Sequence, residues 1–256
     1  MENNSKVAIV TGASSGIGYA TTLALLRGGI KVAAGARRLD RLQKLEDQIV
    51  KNGDEMRTKD DDAKFMQKKL DVTSKSDCDS FVDTVIRKWG RIDILVNNAG
   101  LMPLSYFKNC KVKEWEQMID VNIKGVLYCT SAVIPYMIDK KSGHIVNISS
   151  VAGRIVFAGG SIYCATKHAI TAFSEGLRKE LSPEYNIRVT CIEPGAVATE
   201  LLETITDESM SKFIQASKDM EKLQSEDVAK AILYTVQAPN HVNVNEILLR
   251  PTAQER

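Results

Sequence analysis

The chain has little charge of either sign to spare. Its 34 Lys and Arg face 32 Asp and Glu, for a formal net charge of +2. So even a balance offers no broad basic field, which argues against nucleic acid or a membrane surface as partner. No unbroken apolar run approaches the ~20 residues that cross a bilayer. The polar start Met1-Glu2-Asn3-Asn4-Ser5-Lys6 lacks the apolar segment of a secretion signal. Cysteines number five: Cys78, Cys110, Cys129, Cys164 and Cys191. Their odd number and the lack of C-x-x-C spacing exclude a disulfide frame or a zinc site and suit reduced thiols in a cytoplasmic protein. Cys164 follows Tyr163 directly and reads as a packed side chain, because free cysteine is usually buried.

What is present is the patterning of one α/β domain over 256 residues, with 44% hydrophobic residues for a large core. Short apolar, β-branched runs alternate with helical patterns, which predicts a parallel, doubly wound Rossmann-type sheet. Strands are expected near 7–10, 31–35, 67–70, 93–97, 144–149, 187–193 and 246–249. No linker divides the chain, so 1–256 reads as a single domain. A polar stretch over 52–64 reads as an enlarged loop. Its Asp60, Asp61 and Asp62 read as a solvated charge run, so no metal site is expected.

Three motifs carry chemistry. The first expected strand runs into Thr11-Gly12-Ala13-Ser14-Ser15-Gly16-Ile17-Gly18 and then a helix. Strand, glycine-rich turn and helix form the first half of a dinucleotide-binding unit, whose helix start offers N–H groups and a positive dipole end to phosphates. A second strand ends in Asn97-Asn98-Ala99-Gly100, where open α/β sheets bind ligands. Tyr163 and Lys167 stand four apart, one helical turn, on one face. An ammonium beside a phenol favours the phenolate, so Lys167 is expected to lower the Tyr163 pKa and make it a proton donor and acceptor near neutral pH.

With these residues, and with Asp71-Val72, Asn122, Ser149-Ser150, Pro194-Gly195 and Thr199, the chain resembles the short-chain dehydrogenase/reductase family, single-domain branch, over essentially its whole length. Its tail Glu246 to Thr252 is most similar to clavulanate-pathway aldehyde reductases and their bacterial relatives. The resemblance implies hydride transfer between a nicotinamide and a carbonyl or alcohol. It implies that Tyr163 gives the proton, Lys167 tunes Tyr163 and holds the ribose, Ser150 rather than Ser149 positions the carbonyl, and Asn122 holds a water. For the cofactor it implies the turn Gly12 to Gly18 with Ser14, Ser15, Gly16 and Ile17. It adds Asp71 and Val72 at the adenine, and Asn98, Ala99 and Gly100 in the central crevice. Ile192, Pro194, Gly195, Val197 and Thr199 would meet the carboxamide end.

The choice of nicotinamide turns on the end of the second strand. Ala36 stands where an NAD enzyme carries an acid, and Arg37 and Arg38 follow, able to hold a 2′-phosphate. NADP(H) is therefore expected. Many NADP-dependent relatives carry a basic residue where this chain has Ser15. A substrate lid is expected over about 196–225, with Leu201, Leu202, Ile205, Met210, Phe213, Ile214 and Met220 on its apolar face. Leu101, Met102, Val151, Ile155 and Phe157 are expected to extend that wall. No arginine cluster there demands a phosphate ligand, so the substrate reads as a modest aldehyde or ketone with apolar bulk. A hydroxysteroid or bile-acid dehydrogenase is an alternative, and a catalytically silent NADP(H) sensor is one of another class. Apolar and small residues on more than one face of 112–137 and 163–181, such as Ala165, Ala169 and Ala172, suggest partly buried helices; the resemblance implies that the equivalent helices pair across a homotetramer, with a homodimer as the alternative.

Overall fold

A computed structural model of the chain describes residues 5–51 and 63–254. Strands and helices alternate as β1 (Val7–Thr11), α1 (Gly16–Arg27), β2 (Lys31–Ala36), α2 (Leu39–Lys51), β3 (Phe65–Lys69), α3 (Lys75–Trp89) and β4 (Ile94–Asn97). Then come α4 (Val112–Ile119), α5 (Gly125–Lys140), β5 (Gly143–Ile148), α6 (Ser161–Tyr185), β6 (Ile187–Pro194), α7 (Ser211–Asp219), α8 (Ser225–Gln237) and β7 (Glu246–Leu249). The seven strands form one parallel sheet in the order β3-β2-β1-β4-β5-β6-β7.

Parallel neighbours need crossover connections, and the crossover helices cover both faces of the sheet. That is why β1 and β4 are buried along their whole length and read as unbroken apolar runs. One face packs Leu25, Leu42, Leu45, Val228 and Ile232 from α1, α2 and α8. The other packs Phe81, Val85, Val133, Met137 and Leu177 from α3, α5 and α6. The strand order reverses between β1 and β4, which opens a crevice beyond their carboxyl ends, the place where such sheets take ligands.

The expected strands lie within two residues of those observed. The third starts earlier, at Phe65, because Phe65 pairs with Val32 and its ring is sealed in the core. Asp60, Asp61 and Asp62 lie outside the described residues. One expectation needs correction. The helical run Val112–Lys140 is long and apolar enough, by length and composition, to cross a bilayer. Its hydropathy accumulates across small and polar residues rather than as an unbroken apolar run. In this fold its Cys129, Val133 and Met137 are core residues. Within that run Asp120–Lys124 forms a π turn. Such wide turns insert a residue into a helix and re-aim a side chain, often at a functional site.

Candidate active site

The glycine-rich turn is held by geometry that larger residues would break. Gly12 and Gly16 have φ of 65° and 55°, the left-handed region open to glycine. A Cβ on Gly12 would lie 2.8 Å from the Ala99 Cα, and one on Gly18 would lie 2.5 Å from the Gly12 carbonyl oxygen. The glycines thus let the turn pack directly on the loop after β4. Asn98 ties the two together: its side-chain amide donates to the Thr11 carbonyl at 2.9 Å, and its N–H donates to the Thr11 hydroxyl at 3.0 Å. Gly18 sits behind this contact, buried, as a packing residue. α1 begins with no acid in its first turn and no side-chain cap, so its N–H groups and dipole face the crevice.

At the end of β2, the two arginines differ. Arg38 reaches back over the turn. Its guanidinium donates to the Ser14 hydroxyl at 3.2 and 3.1 Å and to the Ser15 hydroxyl at 2.8 Å. It brings a positive charge onto the turn at Ser14 and Ser15. Arg38 is thus no plain surface charge. Arg37 is exposed and makes no hydrogen bond or ion pair among the described residues. Asp71 folds into a turn in which the Thr73 N–H and hydroxyl donate to its carboxylate at 3.0 and 2.8 Å. Burial acts to raise its pKa, but these two hydrogen bonds, with the charges of Arg37 and Lys69, outweigh it and hold the carboxyl below its ordinary value.

The residues expected to act on substrate converge from β5, α6 and the π turn. Ser150 caps a short turn after β5: its hydroxyl accepts from the Ala152 N–H at 3.1 Å and donates to the Pro194 carbonyl at 3.3 Å. Ser149 points the other way, donating to the Lys167 carbonyl at 3.0 Å, so it fastens β5 to α6. Tyr163 and Lys167 lie one turn apart on α6, both buried, with the Lys167 Nζ 5.7 Å from the Tyr163 ring centre. The Lys167 ammonium donates to the Ile148 carbonyl at 2.9 Å. The Asn122 side chain is used on both sides. Its oxygen accepts from the Leu101 N–H at 3.0 Å, and its amide donates to the Leu101 carbonyl at 3.0 Å and to the Thr166 hydroxyl at 3.2 Å. It locks the loop after β4 to α6.

The expected lowering of the Tyr163 pKa is not what burial produces. Exclusion from water pushes the Tyr163 hydroxyl up to about 12, and a hydrogen bond with Ser150 only partly offsets this. The same exclusion pulls Lys167 down to about 8. Both shifts favour the uncharged form, because a buried charge loses its hydration. Cys164 is buried beside Tyr163, and its thiol is raised by the same loss of water, in keeping with a packed, unreactive side chain.

All of this lines one cavity of about 1070 Å³, whose wall includes Gly12, Ser14, Ser15, Gly16, Ile17, Arg37, Arg38, Asp71, Val72, Asn98, Ala99 and Gly100. It continues through Ser150, Tyr163, Lys167, Pro194, Gly195, Val197 and Thr199. Gly18, Asn122 and Ile192 stand behind the wall rather than on it. An unblocked helix start, two hydroxyls and two arginines along one wall fit an elongated anion such as a dinucleotide phosphate. The wall around Tyr163 is apolar: Met102, Ile155, Phe157, Phe213 and Met220, with Phe157 and Phe213 stacked at 5.6 Å.

Several residues at this site escaped sequence reasoning. Asp207 accepts hydrogen bonds from Ser105, from Asn109 at 2.7 Å and from the Ser209 N–H at 2.9 Å. Those donors hold its carboxyl well below the usual range. The Thr204 hydroxyl accepts from the Met102 N–H at 3.1 Å, and Thr206 bonds to Glu114. Glu200 joins Arg38 at 2.9 Å and also pairs with Arg41. Gln254 accepts from the Ala196 N–H at 2.8 Å, bringing the chain's tail onto the cavity. No local pattern marks these partners, because they stand about a hundred residues apart or lie in a featureless tail.

Comparison with known proteins agrees with this geometry. A model of the short chain dehydrogenase family matches residues 6–210. An uncharacterized oxidoreductase of Staphylococcus saprophyticus is 45% identical over 250 residues, 97% of each chain. One of Listeria monocytogenes is 43% identical over 255 residues, 99% of each. The closed form of a serine dehydrogenase complexed with NADP+ superposes with a TM-score of 0.87 at 36% identity, covering 98% of this chain and 96% of that one.

Proposed function

Since the chain belongs to the short-chain dehydrogenase family and is an oxidoreductase of it, we propose that it interconverts a carbonyl and an alcohol with NADP(H) through Ser150, Tyr163 and Lys167. The observation that carries this reading is the convergence of those three residues on one cavity with the turn Gly12 to Gly18 and the two arginines after β2. NADP(H) is supported by Ala36 where an acid would select NAD, by Arg37 and Arg38, and by the NADP+ of the serine dehydrogenase relative.

When bound, the cofactor supplies or accepts the hydride at the substrate carbon. The chain handles the oxygen. The Ser150 hydroxyl holds the carbonyl oxygen and stabilises charge developing on it. Tyr163 gives its proton to that oxygen. Burial keeps this phenol protonated through neutral pH, which suits reduction. Lys167, while charged, stabilises the phenolate left behind and holds the ribose hydroxyls. Asn122 fixes the loop and α6 in register, and the family's water would sit beside it. Asp71 and Val72 border the adenine, while Pro194, Gly195, Val197 and Thr199 border the nicotinamide amide. Residues 196–225 close over the substrate.

The first substrates to try are aldehydes and ketones with apolar bulk, given the wall around Tyr163 and the likeness to clavulanate-pathway aldehyde reductases. The serine dehydrogenase relative supports a second reading, oxidation of a small hydroxy amino acid. Against it, the only cations lining the cavity among the described residues are Lys167, Arg37 and Arg38, which leaves no arginine near Tyr163 for a substrate carboxylate. Exposed Val112, Ile119, Leu127 and Tyr136 on α4 and α5 support assembly into a homotetramer or homodimer. The free cysteines suit a cytoplasmic protein.

The test is NADPH oxidation against a panel of aldehydes, ketones and oxosteroids, and NADP+ reduction with serine, with Tyr163→Phe alongside. Turnover that Tyr163→Phe reduces about 10²–10⁴-fold, with NADPH binding intact, is expected. Turnover untouched by Tyr163→Phe would refute the mechanism, and tight NADPH binding without turnover of anything would favour the sensor. Reduction should hold steady from neutral pH to about 8 and decline above it as Lys167 loses its proton, whereas oxidation should rise with pH. A pH profile of kcat/KM in both directions checks the pair.

A further inference from the structure

We propose that Glu200 is a built-in competitor for the cofactor's 2′-phosphate, a carboxylate that occupies Arg38 and Arg41 and so limits how strongly the protein prefers NADP(H) over NAD(H). The proposal rests on the reading of Arg37 and Arg38 as the 2′-phosphate site.

A guanidinium offers five N–H donors. On Arg38, Nε and Nη2 are directed at Ser14 and Ser15, and Nη1 meets the Glu200 Oε2 at 2.9 Å. The second Glu200 oxygen, Oε1, pairs with Arg41. Glu200 therefore bridges Arg38, which lines the cavity just after β2, and Arg41 of α2, and it lines that end of the cavity itself beside Ser14, Ser15 and Arg37. The two arginines, by hydrogen bonds and charge, hold its carboxyl below the ordinary range, so it is an anion at working pH.

A phosphate monoester carries nearly two negative charges at neutral pH. Placed on Arg38 it would share Nη1 with a carboxylate and be repelled by it. Arg37, which makes no ion pair among the described residues although its charge reaches the Asp71 carboxylate, is the first holder of the phosphate; Arg38 joins it only as Glu200 withdraws. The exchange is easy. The pairs stand 36–43% exposed, and exposed ion pairs contribute little to stability. β2 itself ends without an acid, so the acid near the 2′ position comes from the lid instead, from the turn Glu200–Thr204.

The experiment compares wild type with Glu200→Gln, which keeps the shape and removes the charge. Dissociation constants are measured by calorimetry for NADPH, NADH, 2′,5′-ADP and 5′-AMP. Glu200→Gln should tighten NADPH and 2′,5′-ADP about three- to tenfold and leave NADH and 5′-AMP within about twofold. Glu200→Asp should restore the wild-type ratio. Unchanged or weaker NADPH binding in Glu200→Gln would overturn the proposal. So would a loss of NADH binding, which would make Glu200 a ribose acceptor instead. If wild type binds 2′,5′-ADP no more tightly than 5′-AMP, the NADP(H) reading itself fails and the competitor with it. A wild-type preference that Glu200→Gln leaves unmoved sinks the competitor alone.

Discussion

The turn Thr11 to Gly18 and the lid segment from Thr199 to Met220 face each other across one cavity, and they are held in opposite ways. The turn is fixed by backbone: positive φ at Gly12 and Gly16, and Cβ-free contact between Gly12 and Ala99. Among the described side chains, Asn98 bonds to its backbone groups, and only Arg38, at Ser14 and Ser15, hydrogen-bonds to its side chains across the crevice end. The lid is held by side chains: Asp207 with Ser105 and Asn109, Thr206 with Glu114, Glu200 with Arg38 and Arg41. Backbone packing tolerates no rearrangement, while polar side-chain ties exchange readily with water or a ligand. Under the proposed function, the rigid half suits a cofactor that always sits the same way, and the exchangeable half suits a lid that opens.

The contrast is most exposed at Gly18. An ordinary helical position would gain from alanine, but here the added Cβ meets backbone at 2.5 Å. Gly18→Ala should destabilise the fold by about 1–3 kcal/mol and weaken cofactor binding more than tenfold. Thermal unfolding and NADPH titration measure both, and a variant with wild-type binding would mean that the turn is as yielding as the lid. Next in size is Arg37→Ala, expected to cut the preference for NADPH over NADH about tenfold by removing a charge-assisted hydrogen bond; an unchanged ratio of the two dissociation constants would remove Arg37 from the phosphate site. Smallest is Asp207→Asn, which should raise KM severalfold and speed proteolysis at Lys212 and Lys218, with cofactor affinity held. The sign of its pH dependence follows from the depressed carboxyl. The Asp207 ties contribute above the ordinary carboxylate pKa and are lost as the pH falls towards the folded-state value. Amide hydrogen exchange around residues 204–210 should therefore accelerate, relative to the intrinsic rate, as wild type is taken below the ordinary carboxylate pKa, and should depend less on pH in Asp207→Asn.

Legibility followed the range of the interactions. The strands were readable because a strand buried on both faces has to be apolar along its length, and β1 and β4 are. Gly12, Tyr163 and Lys167 were readable because their requirement is local: a φ, or one helical turn. The choice of Ser150 over Ser149 rests on its separation from Tyr163; both serines line the cavity, with the Ser149 hydroxyl donating to the Lys167 carbonyl and the Ser150 hydroxyl accepting from the Ala152 N–H. The sign of the Tyr163 shift was not readable. Proximity to Lys167 argued for a lower pKa, while burial, which no four-residue spacing reveals, raised it. Nor was the helical run from Val112 recognisable as long and apolar from unbroken apolar stretches alone.

By itself, the sequence determined the alternation of strands and helices, the glycine-rich turn and the Tyr163–Lys167 step, because period, propensity and steric demand act within a few residues. The tertiary structure alone decided that Arg38 serves Ser15 and Glu200, that Asn122 fastens Leu101 to Thr166, that Asp207 ties to Ser105, and that Gln254 lines the cavity. Those pairings join residues from 21 to 162 positions apart. They arise only when the sheet's order brings distant loops to one edge, where charge and hydrogen-bonding geometry, not sequence proximity, select the partners.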